Sequence, residues 1–193
     1  MVTRMPDASV WREDHTPVLV VFTGLPGTGK STLAARAAGL LRCPVFAKDV
    51  LEAALWRAEI GPAQGVKTGW AGYELLAALA ESQLMLGQPA VLDSVATFER
   101  IRTRWRDLAA AHGAMFVSVN TICSDQTLHR ARIESRKRGI PGWPELTWEH
   151  IDEVRSRYEP PVADLTLDAT DTLAANVTAM ERLLMGGRMT VPR

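Results

Sequence analysis

Apolar residues fall along this chain in short continuous runs separated by longer stretches with helical spacing. Val18-Leu-Val-Val-Phe22 holds no polar residue, the pattern of a strand buried on both faces of a parallel sheet. Cys43-Pro-Val-Phe-Ala47, Pro89-Ala-Val-Leu-Asp93, Met115-Phe-Val-Ser-Val-Asn120 and Asp164-Leu-Thr-Leu-Asp168 predict four more strands. Between them the spacing predicts helices over Lys30–Leu41, Asp49–Arg57, Tyr73–Leu86, Phe98–His112 and Asp125–Arg138, then from Thr147 to Tyr158 and from Asp171 to Met185. Asp49, Ser124 or Asp125, and Asp171 are placed to cap helices. Leu75, Leu76, Leu79 and Leu86 share one side of the third helix. Residues 58–69, with several glycines and a proline, read as a flexible connection. Gly139 ends the fifth helix and Pro141-Gly-Trp-Pro144 makes a turn.

Strands alternating with helices predict a doubly wound α/β fold, a five-stranded parallel sheet flanked by helices with right-handed crossovers. Ligands on such sheets bind beyond the carboxyl ends of the strands. The chain has 193 residues, which fits one domain. We expect a small helical lid over about residues 125–158 and flexible termini at 1–16 and 186–193.

Charge narrows the function classes. Lys and Arg number 22 and Asp and Glu number 22, so the chain lacks the global basic field of a nucleic-acid coat or an anionic-membrane binder. No apolar run approaches the ~18 residues of a membrane-spanning helix. Arg4, Asp7, Arg12, Glu13 and Asp14 leave no signal-peptide apolar region at the start. Cys43 and Cys123 lie far apart, and His15, His112, His129 and His150 form no metal-binding spacing. They read as surface or locally bonded residues of a protein in a reducing cytoplasm, with no structural metal.

The candidate chemistry begins directly after the first strand. Gly24-Leu25-Pro26-Gly27-Thr28-Gly29-Lys30-Ser31, followed by Thr32, fits GxxxxGK[ST], the phosphate loop of P-loop NTPases. Its glycines let the backbone turn tightly and aim N–H groups at phosphate oxygens, and the next helix adds the positive end of its dipole. Lys30 is expected to reach the β- and γ-phosphates of ATP, and the Ser31 hydroxyl to bind Mg²⁺. Asp93 ends an apolar strand, the position of a Walker B carboxylate that orients Mg²⁺, and a strand-end aspartate can equally cap a loop. Ser94 and Val95 follow it, so no second acid is present there.

The loop alone leaves the reaction open. Asn120-Thr-Ile-Cys123 does not supply the base-recognition segment of a GTPase. An AAA+ motor needs a longer chain and a second acid beside Asp93. Gly24-Leu-Pro-Gly-Thr-Gly-Lys-Ser-Thr32, Lys48-Asp49, Leu92-Asp93 and Arg132-Ile-Glu-Ser-Arg136 together resemble the zeta-toxin and chloramphenicol-phosphotransferase-like branch of P-loop kinases. That branch includes ATP-binding proteins described as AAA domains and the kinase domains of polynucleotide kinases. The resemblance spans about residues 17–180 and implies that Asp49 contacts the acceptor hydroxyl as general base. It also implies that Arg132 and Arg136 grip the γ-phosphate. Physical chemistry supports a base there independently, because phosphoryl transfer needs positioning, charge neutralisation and one group to take the hydroxyl proton. Asp49 can do this and cap its helix as well. Arg132 and Arg136, four apart on a helix, share a face, and a solvated basic face is the other reading of that pattern. Polynucleotide kinases of the branch carry an arginine three positions after the aspartate, where this chain has Glu52.

From Asp49 to Glu99 the acids Asp49, Glu52, Glu59, Glu74, Glu81, Asp93 and Glu99 outnumber Arg57 and Lys67. From Arg100 to Arg138 the bases outnumber Asp107, Asp125 and Glu134. The acidic stretch is the expected acceptor side and argues for a neutral or cationic acceptor over a phosphorylated one. Trp56, Trp70 and Tyr73 are candidates to line its pocket, and equally candidates for the core. Of the alternating Arg100, Arg102, Arg104 and Arg106, mainly solvated, Arg104 is the one to approach the site. Asp168, Ala169 and Thr170 are candidates to lie near adenine. The expectation is an ATP- and Mg²⁺-dependent kinase of a small-molecule hydroxyl: an antibiotic, sugar or nucleoside-like compound. A polynucleotide 5′-hydroxyl kinase and a non-catalytic ATP-binding regulator are the rivals.

Overall fold

The computed structural model describes residues 16–186. His15, residues 1–15 and residues 187–193 lie outside the described residues, and with them nearly all of both expected flexible termini. Five strands, β1 (Val18–Thr23), β2 (Val45–Ala47), β3 (Ala90–Asp93), β4 (Met115–Ile122) and β5 (Leu165–Asp168), form one sheet in the order β2-β3-β1-β4-β5. Every pairing is parallel. Among the described residues seven helices flank it: α1 (Lys30–Leu41), α2 (Lys48–Arg57), α3 (Gly69–Met85), α4 (Glu99–Ala111), α5 (Gln126–Ser135), α6 (Trp148–Arg157) and α7 (Leu173–Gly186). None is long and apolar enough to cross a membrane.

The unbroken apolar run of β1 is explained by its central position. Val18, Val20 and Phe22 pack with Leu33, Ala37, Met180 and Leu184 of α1 and α7. Leu19 and Val21 face the other way, onto Leu76, Ala80, Ile101 and Trp105 of α3 and α4. Each such large apolar side chain contributes about 1.5–3 kcal/mol on full burial, so this strand is the anchor of both layers. The register sets Phe22 beside Asp93 and Thr23 beside Asn120, which brings the β1, β3 and β4 carboxyl ends to one edge.

Several expected boundaries shift, each for a local reason. The third helix begins at Gly69 rather than Tyr73 and turns Gly72 inward, where an added Cβ would strike Glu52 and Lys48. Its buried face is Gly72, Leu76, Ala77, Ala80 and Leu84, and Leu86 is 72% exposed as the cap residue. Small residues let α3 sit close against α2, which a leucine stripe would prevent. The connection at 58–69 contains a short 3₁₀ turn, Pro62–Gln64. Asp49 lies in the first turn of α2 and does not cap it, because that helix begins one residue earlier with Ala47 as its cap. Thr172 rather than Asp171 accepts the capping bond of α7, from the Ala175 N–H at 3.2 Å. Asp125 caps α5 through the Leu128 N–H, and Thr147 caps α6 through the His150 N–H. The largest difference is at the end of α5, which stops at Ser135 instead of Arg138.

Candidate active site

The loop between β1 and α1 has the backbone its glycines permit. Gly24, Gly27 and Gly29 have φ of 127°, 86° and 90°, a region that L side chains rarely adopt. Thr28 braces the loop internally, its hydroxyl 2.7 Å from the Leu25 carbonyl and 2.6 Å from the Thr121 hydroxyl. Thr121 in turn donates to the Thr23 carbonyl. Thr121 lies past the expected end of β4, so the extra strand length fastens the loop to the sheet.

Lys30 is 8% exposed and its Nζ donates to the Leu25 carbonyl at 2.9 Å. Burial lowers its pKa to about 8, against the opposing pull of Asp93 and Asp49. A cation held dry beside inward-turned backbone is prepared for an anion that would complete its coordination. Asp93 is 7% exposed, its pKa raised by burial and pulled back by Lys30 and by a hydrogen bond from Ser31. Among the described residues no group of three or more His, Cys, Asp or Glu gathers to hold a metal. Mg²⁺ fits nonetheless, because it takes one or two protein oxygens plus phosphate and water, and the paired Ser31 and Asp93 supply hard oxygens beside Lys30.

Two cavities adjoin the loop. One, of about 390 Å³, is lined by Gly27, Thr32, Arg132, Ala169 and Asn176 among others. Ala169 forms part of its wall, while Asp168 serves its own loop. Although burial opposes ionisation there, hydrogen bonds from Ser124 and Thr170 lower the Asp168 pKa to about 2. The other cavity, of about 240 Å³, brings together Lys30, Ser31, Asp49, Asp93, Arg136 and Arg138.

The three arginines part company. Arg132 remains on α5 and donates to the Ala169 carbonyl at 2.8 Å. Arg136 is extended, φ −83° and ψ 134°, so it does not share a helical face with Arg132, yet it lines both cavities. Arg138 crosses to Asp49 and pairs with its Oδ2. The chain leaves the helix here because Glu145 captures the Arg138 N–H at 3.0 Å and Asp49 its guanidinium, bonds that a continued helix would forgo. Arg138 is thus the arginine paired with Asp49, which helical spacing missed. Arg104 does not approach the site: it forms a two-pronged pair with Glu74 on α3. Arg102, expected to be solvated, is buried against the Ala96 carbonyl and Glu99.

His129 also escaped the sequence. It is buried, its Nε2 lies 2.7 Å from the Pro26 carbonyl, and its ring closes on Gly27 and stacks edge-on against Trp148. Burial lowers its pKa, aided by the charges of Arg155, Lys30 and Arg132. A histidine depressed in the folded state is protonated first in the unfolded chain, so stability falls as pH drops below the ordinary value of 6.5. His129→Gln retains a donor for Pro26 and removes the titration. Urea unfolding between pH 7.5 and 5 is expected to show a stability loss in the wild type that the variant lacks.

The acids of the acceptor side do not make an acidic cavity. Glu52 is buried and bonded to Lys48 and to the Thr68 hydroxyl, which accepts from Trp56 Nε1. Glu74 is held by Arg104 and Glu99 by Arg102. Trp56 stacks on Trp143 with ring centroids 4.4 Å apart, so it joins α2 to the 141–144 turn, whereas Trp70 and Tyr73 do border a cavity.

The family described as AAA domain matches residues 19–161. Among solved structures, a gluconokinase from Sinorhizobium meliloti aligns with a TM-score of 0.63 at 18% identity, over 89% of this chain and 95% of its own. Kti12 of Chaetomium thermophilum, solved with ADP-AlF3, gives 0.67 at 17% identity over 86% and 97%. The APS kinase CysC of Mycobacterium tuberculosis, solved with AMPPNP and APS, gives 0.61 at 22% identity over 88% and 98%. The likeness is one of fold, a P-loop kinase architecture. No curated protein matches the sequence.

Proposed function

This chain belongs to the AAA-domain family, and from that premise we propose that it is an ATP-dependent kinase of a small-molecule hydroxyl. The observation that carries the reading is Asp49, a carboxylate additional to Asp93, facing the same cavity as Lys30 and Ser31. Besides holding Arg138, that second acid leaves one carboxylate oxygen for an acceptor hydroxyl. The gluconokinase and the APS kinase of like fold support the reading by their own activities.

In this proposal the loop N–H groups and Lys30 hold the phosphates, and Arg132 and Arg136 reach them from the other wall. Mg²⁺, held through Ser31 and Asp93, would supply charge neutralisation between the phosphate oxygens. Asp49 orients the acceptor hydroxyl and takes its proton as the oxygen–phosphorus bond forms and the bond to the β–γ bridging oxygen breaks. ADP then leaves. Residues 125–158 act as a lid in a single kinase domain, closing through the non-helical 136–147 segment to exclude water.

The test is ADP release from Mg·ATP against a panel of antibiotics, sugars, nucleosides and a 5′-hydroxyl oligonucleotide. Stimulation by a small molecule, with phosphate recovered on it, is the expected result. Stimulation by the oligonucleotide alone would replace this reading with end-kinase activity. Tight ATP binding with no stimulation by any acceptor would favour a regulatory role.

A further inference from the structure

Beside the Asp49 cavity lies a third one, of about 410 Å³, between α2, α3, the β3–α4 loop and the end of α6. The same two segments wall both: Asp49, Ser94 and Val95 face the phosphate side, while Lys48, Thr97 and Phe98 face this one. The end of α6 is fastened there, with the Glu159 N–H donating to the Thr97 carbonyl at 2.9 Å and the Glu99 N–H to the Glu159 carboxylate at 2.6 Å.

Resting on the kinase reading, we propose that the cavity walled by Lys48, Lys67, Trp70, Tyr73, Phe98 and Arg157 binds the acceptor through a ring and an anionic group, so that the molecule phosphorylated carries its own phosphate, sulfate or carboxylate.

The charge balance of the wall carries this. Lys48, Lys67 and Arg157 line it, and no carboxylate does. Lys48 is neutralised by Glu52 and lies over the Tyr73 ring at 4.7 Å, which fixes its position. Among the described residues neither Lys67 nor Arg157 pairs with a carboxylate; Arg157 donates only to the Glu153 carbonyl, at 3.3 Å. The nearby acids Glu99 and Glu159 are taken up by Arg102 and by the Glu99 N–H. Two cations without counter-charge in the wall of one cavity select an anion.

The ring is argued from the aromatic wall. Trp70 is 46% exposed and lines the cavity, so part of its ring is open to a ligand. It is also rigidly held. Tyr73 meets it edge-on at 6.2 Å and is backed by the fully buried Trp105 at 6.0 Å. The Arg100 guanidinium lies 4.7 Å from the Trp70 ring and 5.3 Å from the Phe98 ring, locking both at the rim. A flat or cyclic body slides against these rings, while Lys67 and Arg157 meet its anion.

The experiment is calorimetric titration in the presence of Mg·ADP with matched probes: adenosine against adenosine 5′-phosphate, glucose against gluconate, and kanamycin as a cationic control. At least one anionic probe is expected to bind ten or more times tighter than its neutral counterpart, and to weaken with salt. Lys67→Gln and Arg157→Gln should each cost that probe roughly tenfold, about the contribution of one charge-assisted contact, with ADP affinity unchanged as evidence of folding. Equal or tighter binding of the neutral or cationic probes overturns the proposal. So does the absence of any anionic binding, or binding indifferent to both substitutions. An anionic probe held through Lys67 and Arg157, with ADP release stimulated neither by it nor by any acceptor of the panel above, would sustain this site and overturn the kinase reading instead.

Discussion

Asp49→Asn is expected to lower kcat for acceptor phosphorylation by about 10³, within the usual contribution of a positioned general base. The side chain of Asp49 is 36% exposed at the start of α2, so the isosteric amide leaves the fold intact. Its Oδ2 holds Arg138, which leaves Oδ1 for the acceptor hydroxyl. The amide can still meet both partners but accepts no proton. ATP affinity depends on the loop, Lys30 and Ser31, so calorimetry with a non-hydrolysable analogue should differ less than threefold from the wild type. Single-turnover ADP release with a responsive acceptor is the measurement. Retention of kcat within tenfold would reduce Asp49 to a partner of Arg138.

Gly24→Ala is expected to be the most destabilising single-methyl change in the chain, costing on the order of 4 kcal/mol from backbone strain and overpacking together. At φ 127° an L side chain is strained, and the added Cβ would collide with the Thr121 carbonyl and lie 2.7 Å from its hydroxyl. That hydroxyl holds Thr28 and Thr23, so relief of the clash loosens the loop from the sheet. Thermal unfolding should fall by roughly 10 °C in a chain this long, with loss of nucleotide binding. Gly39 is the control. It sits in α1 with nothing within 4 Å of a built Cβ, so Gly39→Ala should leave stability unchanged or raise it by up to about 1 kcal/mol. Equal behaviour of the two variants would sink the argument.

What could be read in the sequence is what depends on neighbours along the chain. The run Val18–Phe22 gave away a central strand, because burial on both faces demands apolar residues at every position. Gly24 to Ser31 gave the phosphate loop, because left-handed backbone and a helix start are local requirements. Lys30–Leu41 was legible to both ends for the same reason.

The tertiary structure decided everything that depends on a partner distant in sequence. Helical periodicity carried α5 through to Arg138, but Glu145 and Asp49 capture that residue from seven and 89 positions away and pull the chain straight. His129 had no motif to announce it, because its partner is a carbonyl of Pro26, and any residue could supply one. The acids between Asp49 and Glu99 counted as an acidic half in the sequence, yet Lys48, Arg102 and Arg104 neutralise three of them and a cavity lined by cations remains. Backbone conformation and burial pattern are local, and a single chain records them. Charge pairing and the walls of a cavity are set by which side chains the fold brings face to face, and a linear count of charges holds no such information.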